Sequence, residues 1–121
     1  MLFSHWVHNE WQRLAFNTSF ASLTLLLIVV GYSQPHETAL VLGILGFAGL
    51  VFWRSWLTLA LYLIGGCFGI AAESIAVHHG AWSYAVPGAL GVPVWLFFVL
   101  GAAAAFLYQT ALELRRLGVQ R

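Results

Sequence analysis

The chain of 121 residues contains no lysine, and only 7% of its residues are charged. An ordinary soluble domain carries about 25%. Five arginines and four acidic residues cannot cover a water-facing surface of this size, so lipid must be the solvent for most of it. The scarcity of basic residues also excludes the clustered Lys/Arg footprint that nucleic acid requires. Cysteine is nearly absent. Cys67 stands alone, which rules out an internal disulfide and any CxxC metal or redox motif; it is expected to be a buried, inert thiol within an apolar run. No glycine-rich phosphate loop, nucleophile elbow or paired-carboxylate motif is present.

What the sequence has in abundance is apolar length. Hydrophobic residues make up 61% of it. A bilayer core of about 30 Å takes about 20 helical residues, and four stretches qualify: residues 15–32, 38–53, 56–77 and 92–112. Barrel strands would alternate in polarity over about ten residues. These runs are continuous and longer, so helices are expected, each satisfying its own backbone polar groups. The predicted fold is all-α, a polytopic four-transmembrane-helix bundle forming one domain.

The breaks carry turn chemistry. Ser33-Gln34-Pro35-His36-Glu37 reads as a turn with Thr38 as N-cap. Arg54-Ser55 is a tight connection. The segment from His78 to Pro93 is the longest loop, and Pro93 suits a first-turn position of the last helix. Before the first span, Phe3, Val7, Trp11 and Leu14 fall on one helical face. This pattern predicts a short interfacial helix over residues 2–13, with Trp6 and Trp11 at headgroup level. The N-terminus lacks the small-residue cleavage site of a secretory signal. Trp53, Trp56, Trp82 and Trp95 lie near span ends, where amphipathic rings prefer the membrane interface.

Orientation follows from arginine. Arg13, Arg54, Arg115, Arg116 and Arg121 all fall at one end of a four-crossing topology, and the other two loops have no basic residue. The positive-inside rule therefore predicts a multi-pass protein of the inner (plasma) membrane with both termini cytoplasmic.

Small residues recur at helix-packing spacings: Gly43, Gly46 and Gly49; Gly65, Gly66 and Gly69; Gly101 through Ala105. They suit either close packing within the bundle or a face for a second copy or another subunit of a membrane complex.

One polar constellation stands out. Glu73 lies inside the third span near its outer end, where an ionised carboxylate in hydrocarbon would cost on the order of 3 kcal/mol. It should face the bundle or a water pocket, on a stripe with Thr58, Tyr62, Gly66 and Gly69. The topology gathers His36, His78, His79, Trp82 and Tyr84 on the same side. Three readings follow. Glu73 is a structural carboxylate bonded to Tyr62, Thr24 or the loop. Alternatively, it is a general acid in an apolar pocket, with Tyr62, Trp82, Tyr84, His78 and His79 lining a ligand site. Last, His36, His78 and His79 with a carboxylate hold a metal, or Glu73 and the histidines serve a proton pathway, although no HxxxH spacing supports a metal. Asn17, Thr18, Ser19 and Ser22 suggest helix contacts or interfacial anchoring, and Glu113 with Arg116 reads as a routine terminal pair.

Glu73, Gly80, Trp82 and Tyr84, followed by Gly91 and Pro93, resemble a pattern of integral-membrane carotenoid-modifying proteins, the lycopene-cyclase-domain and carotenoid-hydratase group. The similarity covers about residues 73–95. It departs where cyclase domains carry Pro-x-Glu-Glu, since Pro93-Val94-Trp95-Leu96 has no carboxylate. The resemblance implies an isoprenoid-like ligand and site roles for Glu73, Trp82 and Tyr84. The sequence specifies no cofactor. The expected function is an outer-side pocket for an apolar ligand at Glu73, with an accessory subunit of a membrane complex as the alternative.

Overall fold

The computed structural model describes residues 2–88 and 90–118, with side chains described from Trp11 onward. It contains four helices, α1 (Leu2–Gly31), α2 (Pro35–Trp53), α3 (Trp56–His78) and α4 (Leu96–Arg116), and no strand among the described residues. All four are long and apolar enough to cross a membrane. The chain is an all-α, multi-pass membrane protein.

Three boundaries differ from the sequence expectation. First, residues 2–13 are not a separate helix: α1 runs unbroken from Leu2 to Gly31 because no glycine or proline interrupts it. Phe3, Trp6 and Val7 lie outside the described side chains. Second, α2 begins at Pro35, whose fixed φ and missing N–H suit a first turn. Thr38 is therefore inside the helix, and Gln34 is the N-cap. The Thr38 hydroxyl donates to the Gly31 carbonyl and ties the end of α1 to the start of α2. Third, α4 begins at Leu96, four residues after Val92. The Gly88 N–H donates to the Val92 carbonyl at 2.9 Å, and the Gly91 N–H to the Gly88 carbonyl at 3.1 Å. This closed turn places Gly91 at φ 83°, outside the right-handed helical region, so α4 cannot extend back through it.

Between α2 and α3 the chain reverses in two residues. Arg54 takes a left-handed conformation (φ 52°, ψ 50°) and its N–H caps the Leu50 carbonyl. Ser55 is extended, and its hydroxyl accepts the Thr58 N–H at 3.1 Å.

The glycines work within the chain. A Cβ on Gly65 would stand 2.7 Å from the Ala104 Cβ, and one on Gly101 would stand 2.7 Å from the Tyr62 carbonyl oxygen, so α3 and α4 meet backbone to backbone. Gly46 lies under the Tyr62 hydroxyl, and Gly49 lies under the Phe20 ring. Around them Phe20, Trp53, Tyr62, Ala102 and Ala105 form one buried cluster. Phe16 stacks on Phe52 at 3.9 Å between ring centres, and Phe20 meets Trp53 edge-on at 5.1 Å. A second cluster, Ala39, Leu42, Val92, Trp95 and Leu96, fills the opposite end.

Several side chains sit differently from expectation. Trp53 and Trp95 are buried at 6% exposure each, whereas Trp56 and Trp82 are exposed. The first pair point into the bundle because they fall on the interior faces of their segments. Cys67 faces outward from α3 and is not buried. Thr18, Ser19 and Ser22 are exposed, while Asn17 is fully buried.

Asn17 organises the arginine-bearing end. Its Oδ1 accepts from Trp53 Nε1 at 2.9 Å, and its Nδ2 donates to the Thr110 hydroxyl at 3.4 Å. Beside it, Gln109 Nε2 donates to the Thr58 hydroxyl at 2.6 Å. Glu113, also buried, accepts from Arg116 Nη1 at 2.9 Å. These bonds link all four helices at the end where Arg13, Arg54, Arg115 and Arg116 lie. Arg121 is outside the described residues.

Candidate functional site

The opposite end of the bundle is built by the way α3 stops. His79 caps the helix, and Gly80 follows at φ 80°. The Gly80 N–H returns to the Val77 carbonyl at 3.0 Å and the Ala81 N–H to the Ala76 carbonyl at 2.9 Å. This paired pattern is the Schellman motif, for which a glycine at the left-handed position is the natural residue. It turns the chain back over α3, so the next residues can reach a side chain they have already passed.

Glu73 is that side chain. Its Oε1 accepts from Trp82 Nε1 at 3.0 Å and from the Tyr84 hydroxyl at 2.5 Å. Tyr84 also packs against the buried cluster of Ala39, Leu42, Val92, Trp95 and Leu96. Burial pushes the Tyr84 phenol up from 10.0 to about 12, with further contributions from the hydrogen bond to Glu73 and its charge. One carboxylate oxygen therefore staples the loop to the helix at two points.

Further along the same loop lies an open cleft of about 460 Å³, which Glu73, Trp82 and Tyr84 do not line. Pro35 and His36 bound it from the start of α2, Ile70 from α3 and Phe97 from α4. Pro87, Gly88, Leu90, Val92, Pro93 and Val94 close it from the loop. Ile70 is one helical turn below Glu73. The walls are almost wholly apolar, and His36 is the only ionisable residue among them. Across Leu90 is a second, more polar cleft of about 600 Å³, bounded by Ser74, Val77, His78, His79 and Gly91. Two buried polar atoms in this region have no hydrogen-bond partner among the described residues: the Ser74 hydroxyl and the Trp95 indole nitrogen.

The structure brings Glu73, Trp82 and Tyr84 into direct contact. His78 and His79 border the second cleft and are exposed; His79 Nδ1 lies 2.9 Å from the Ile75 carbonyl. His36 borders the first cleft, on the far side of Leu90. The alternative metal set of His36, His78 and His79 is therefore not assembled, and no group of three His, Cys, Asp or Glu among the described residues is placed to hold a metal ion. Tyr62 is not part of this end. It is buried near mid-bundle, about three turns from Glu73 along α3, against Gly46, Gly101 and Phe97. Thr24 does not reach Glu73 either; its hydroxyl donates to the Phe20 carbonyl at 2.8 Å within α1.

Two features went unread in the sequence. The cleft walls at residues 87–94 have the composition of an ordinary loop, and only the turn closed by Gly88 and Val92 gives them a concave surface. The other is the polar layer of Asn17, Thr58, Gln109 and Thr110: the helix contact expected of Asn17 is made, but its partners Trp53 and Thr110 and the Gln109–Thr58 bond are not legible in the sequence, because the layer draws on separate helices.

No family model, curated protein or solved structure matches the chain.

Proposed function

We propose that the chain is a small inner-membrane protein with both termini in the cytoplasm, which holds an apolar, isoprenoid-like ligand in the cleft along the Glu73-stapled loop. The observation that carries this reading is the cleft itself. About 460 Å³ of apolar-walled space falls within the usual range for a small-molecule site. It is walled by the first turns of α2 and α4 and by apolar loop residues, which suits an apolar molecule entering from lipid.

Three further observations support the reading. The imidazole of His36 offers one hydrogen-bonding group in an otherwise apolar space, as suits a long apolar ligand with one polar function. The glycine faces of α2, α3 and α4 are filled by Tyr62, Phe20, Phe97 and Leu100 of the same chain, which argues against subunit docking as their main purpose. The residues that resemble the carotenoid-modifying group also serve this end of the fold. Gly80 follows the cap of α3, Gly91 turns the loop, Pro93 is buried, and Trp82 and Tyr84 both donate to Glu73. In this reading Glu73 is a positioning residue that shapes the cleft through the loop.

Purification in mild detergent followed by mass spectrometry of co-purifying small molecules tests the proposal. An apolar species retained by the wild type and lost in Ile70→Trp, which fills the cleft floor, is the expected outcome. Equal retention by both proteins would overturn it.

A further inference from the structure

The arginine-bearing end has an open groove of its own, between α2 and α3. This pair of helices packs together less than any other pair in contact. The space between them measures about 370 Å³ and is bounded by Phe47, Leu50, Val51, Trp56 and Leu59. Arg54 and Ser55 are its only polar boundary residues. The Ser55 hydroxyl is already engaged with the Thr58 N–H. Arg54 is exposed and forms no ion pair among the described residues. Arg54 also occupies the left-handed backbone region at φ 52°, a position that glycine would fill without strain. A guanidinium is thus kept where the backbone favours no side chain. Trp56, 85% exposed, stands next to it.

The dimensions suit one leaflet. Seven residues separate Phe47 from Arg54, so the trough descends about 10 Å along the helix. Half of the hydrocarbon core is about 15 Å. A cation with no ion-pair partner among the described residues, an exposed indole and an apolar trough match the phosphate and the upper acyl chain of a phospholipid. No carboxylate borders the groove to receive a headgroup cation, so a lipid with net negative charge fits better than a zwitterionic one.

We propose that the α2–α3 groove is a binding site for an anionic phospholipid, with its phosphate on Arg54 and an acyl chain against Phe47, Val51 and Leu59. The site is independent of the cleft at the other end.

The test reconstitutes the full chain in bilayer discs of equimolar phosphatidylglycerol and phosphatidylcholine, then counts retained lipids by native mass spectrometry. Wild type should retain phosphatidylglycerol over phosphatidylcholine by on the order of five-fold, the equivalent of about 1 kcal/mol for one basic residue near the surface. Arg54→Gly removes the charge while relieving the left-handed backbone, so folding is not at stake, and it should abolish the preference. Val51→Trp should reduce retention of both lipids by filling the trough. Arg13→Gln and Arg115→Gln, which change total charge equally, should leave the preference intact. The proposal is overturned if wild type shows no preference, if Arg54→Gly keeps it, or if the two control substitutions abolish it as fully as Arg54→Gly.

Discussion

Tyr84 donates its phenolic hydrogen to Glu73 Oε1 at 2.5 Å, joining the loop after α3 to a helical residue eleven positions earlier. Trp82 donates to the same oxygen. The only carboxylate deep in α3 thus has its partners in its own following loop. Removing it should free that loop while leaving the helices in place. Glu73→Leu is expected to raise hydrogen exchange across residues 82–88, with local opening eased by about 1 kcal/mol, the size of an ordinary hydrogen bond because Trp82 is exposed. Glu73→Gln, which keeps an acceptor oxygen, should change exchange much less.

The same contact has a pH signature. The Tyr84 phenol stays protonated in the folded protein up to about 12, whereas the unfolded phenol ionises near 10.0. Between those values the unfolded state binds fewer protons, so stability falls as pH rises. The contribution of Tyr84 should be fully present below pH 10 and lost as pH climbs towards 12. The difference in thermal midpoint between wild type and Tyr84→Phe in one detergent, constant from pH 7 to 9 and shrinking by pH 11, checks this.

At the other end, the Asn17–Trp53 bond joins α1 to α2 in a site from which water is excluded. Asn17→Leu leaves the buried Trp53 N–H without its acceptor and should cost about 1–2 kcal/mol. A double-mutant cycle with Trp53→Phe should give a coupling of about 0.5–1.5 kcal/mol, the range of polar helix–helix bonds in membranes. Additive effects would remove this bond from the account of how the four helices are joined.

Close helix approach is the other source of stability. At Gly101 an added methyl would meet the backbone carbonyl of Tyr62, which cannot rotate away. Gly101→Ala should therefore destabilise the bundle by about 1–3 kcal/mol, measured by thermal unfolding in detergent, by forcing α3 and α4 apart.

How far the sequence anticipates this structure depends on the range over which each feature is encoded. The four helices are written in continuous apolar runs, and the gathering of Glu73, Trp82 and Tyr84 at one end follows from crossing number alone. Their mutual bonding depends on the glycine-capped reversal at Gly80. The inward turn of Trp53 and Trp95 was not legible, because an indole at a span end suits either the interface or the core, and the choice is made by partners on other helices. For Trp53 that partner is Asn17, 36 residues away in sequence. Glu113 likewise looks like a solvated terminal residue until α4 is docked, and only then is it buried beside Arg116. Tyr62 shares the helical stripe of Glu73, but the rise of the helix sets them about 16 Å apart.

The central claim, an apolar ligand along the stapled loop, is tested most directly by titrating the detergent-purified protein with retinol, a fluorescent isoprenoid. Wild type should show saturable binding, weakened at least about ten-fold (about 1.4 kcal/mol) in Ile70→Trp and unchanged in Val51→Trp, which fills the groove at the opposite end. Binding that is equally strong in Ile70→Trp, or that does not saturate in wild type, would contradict the account.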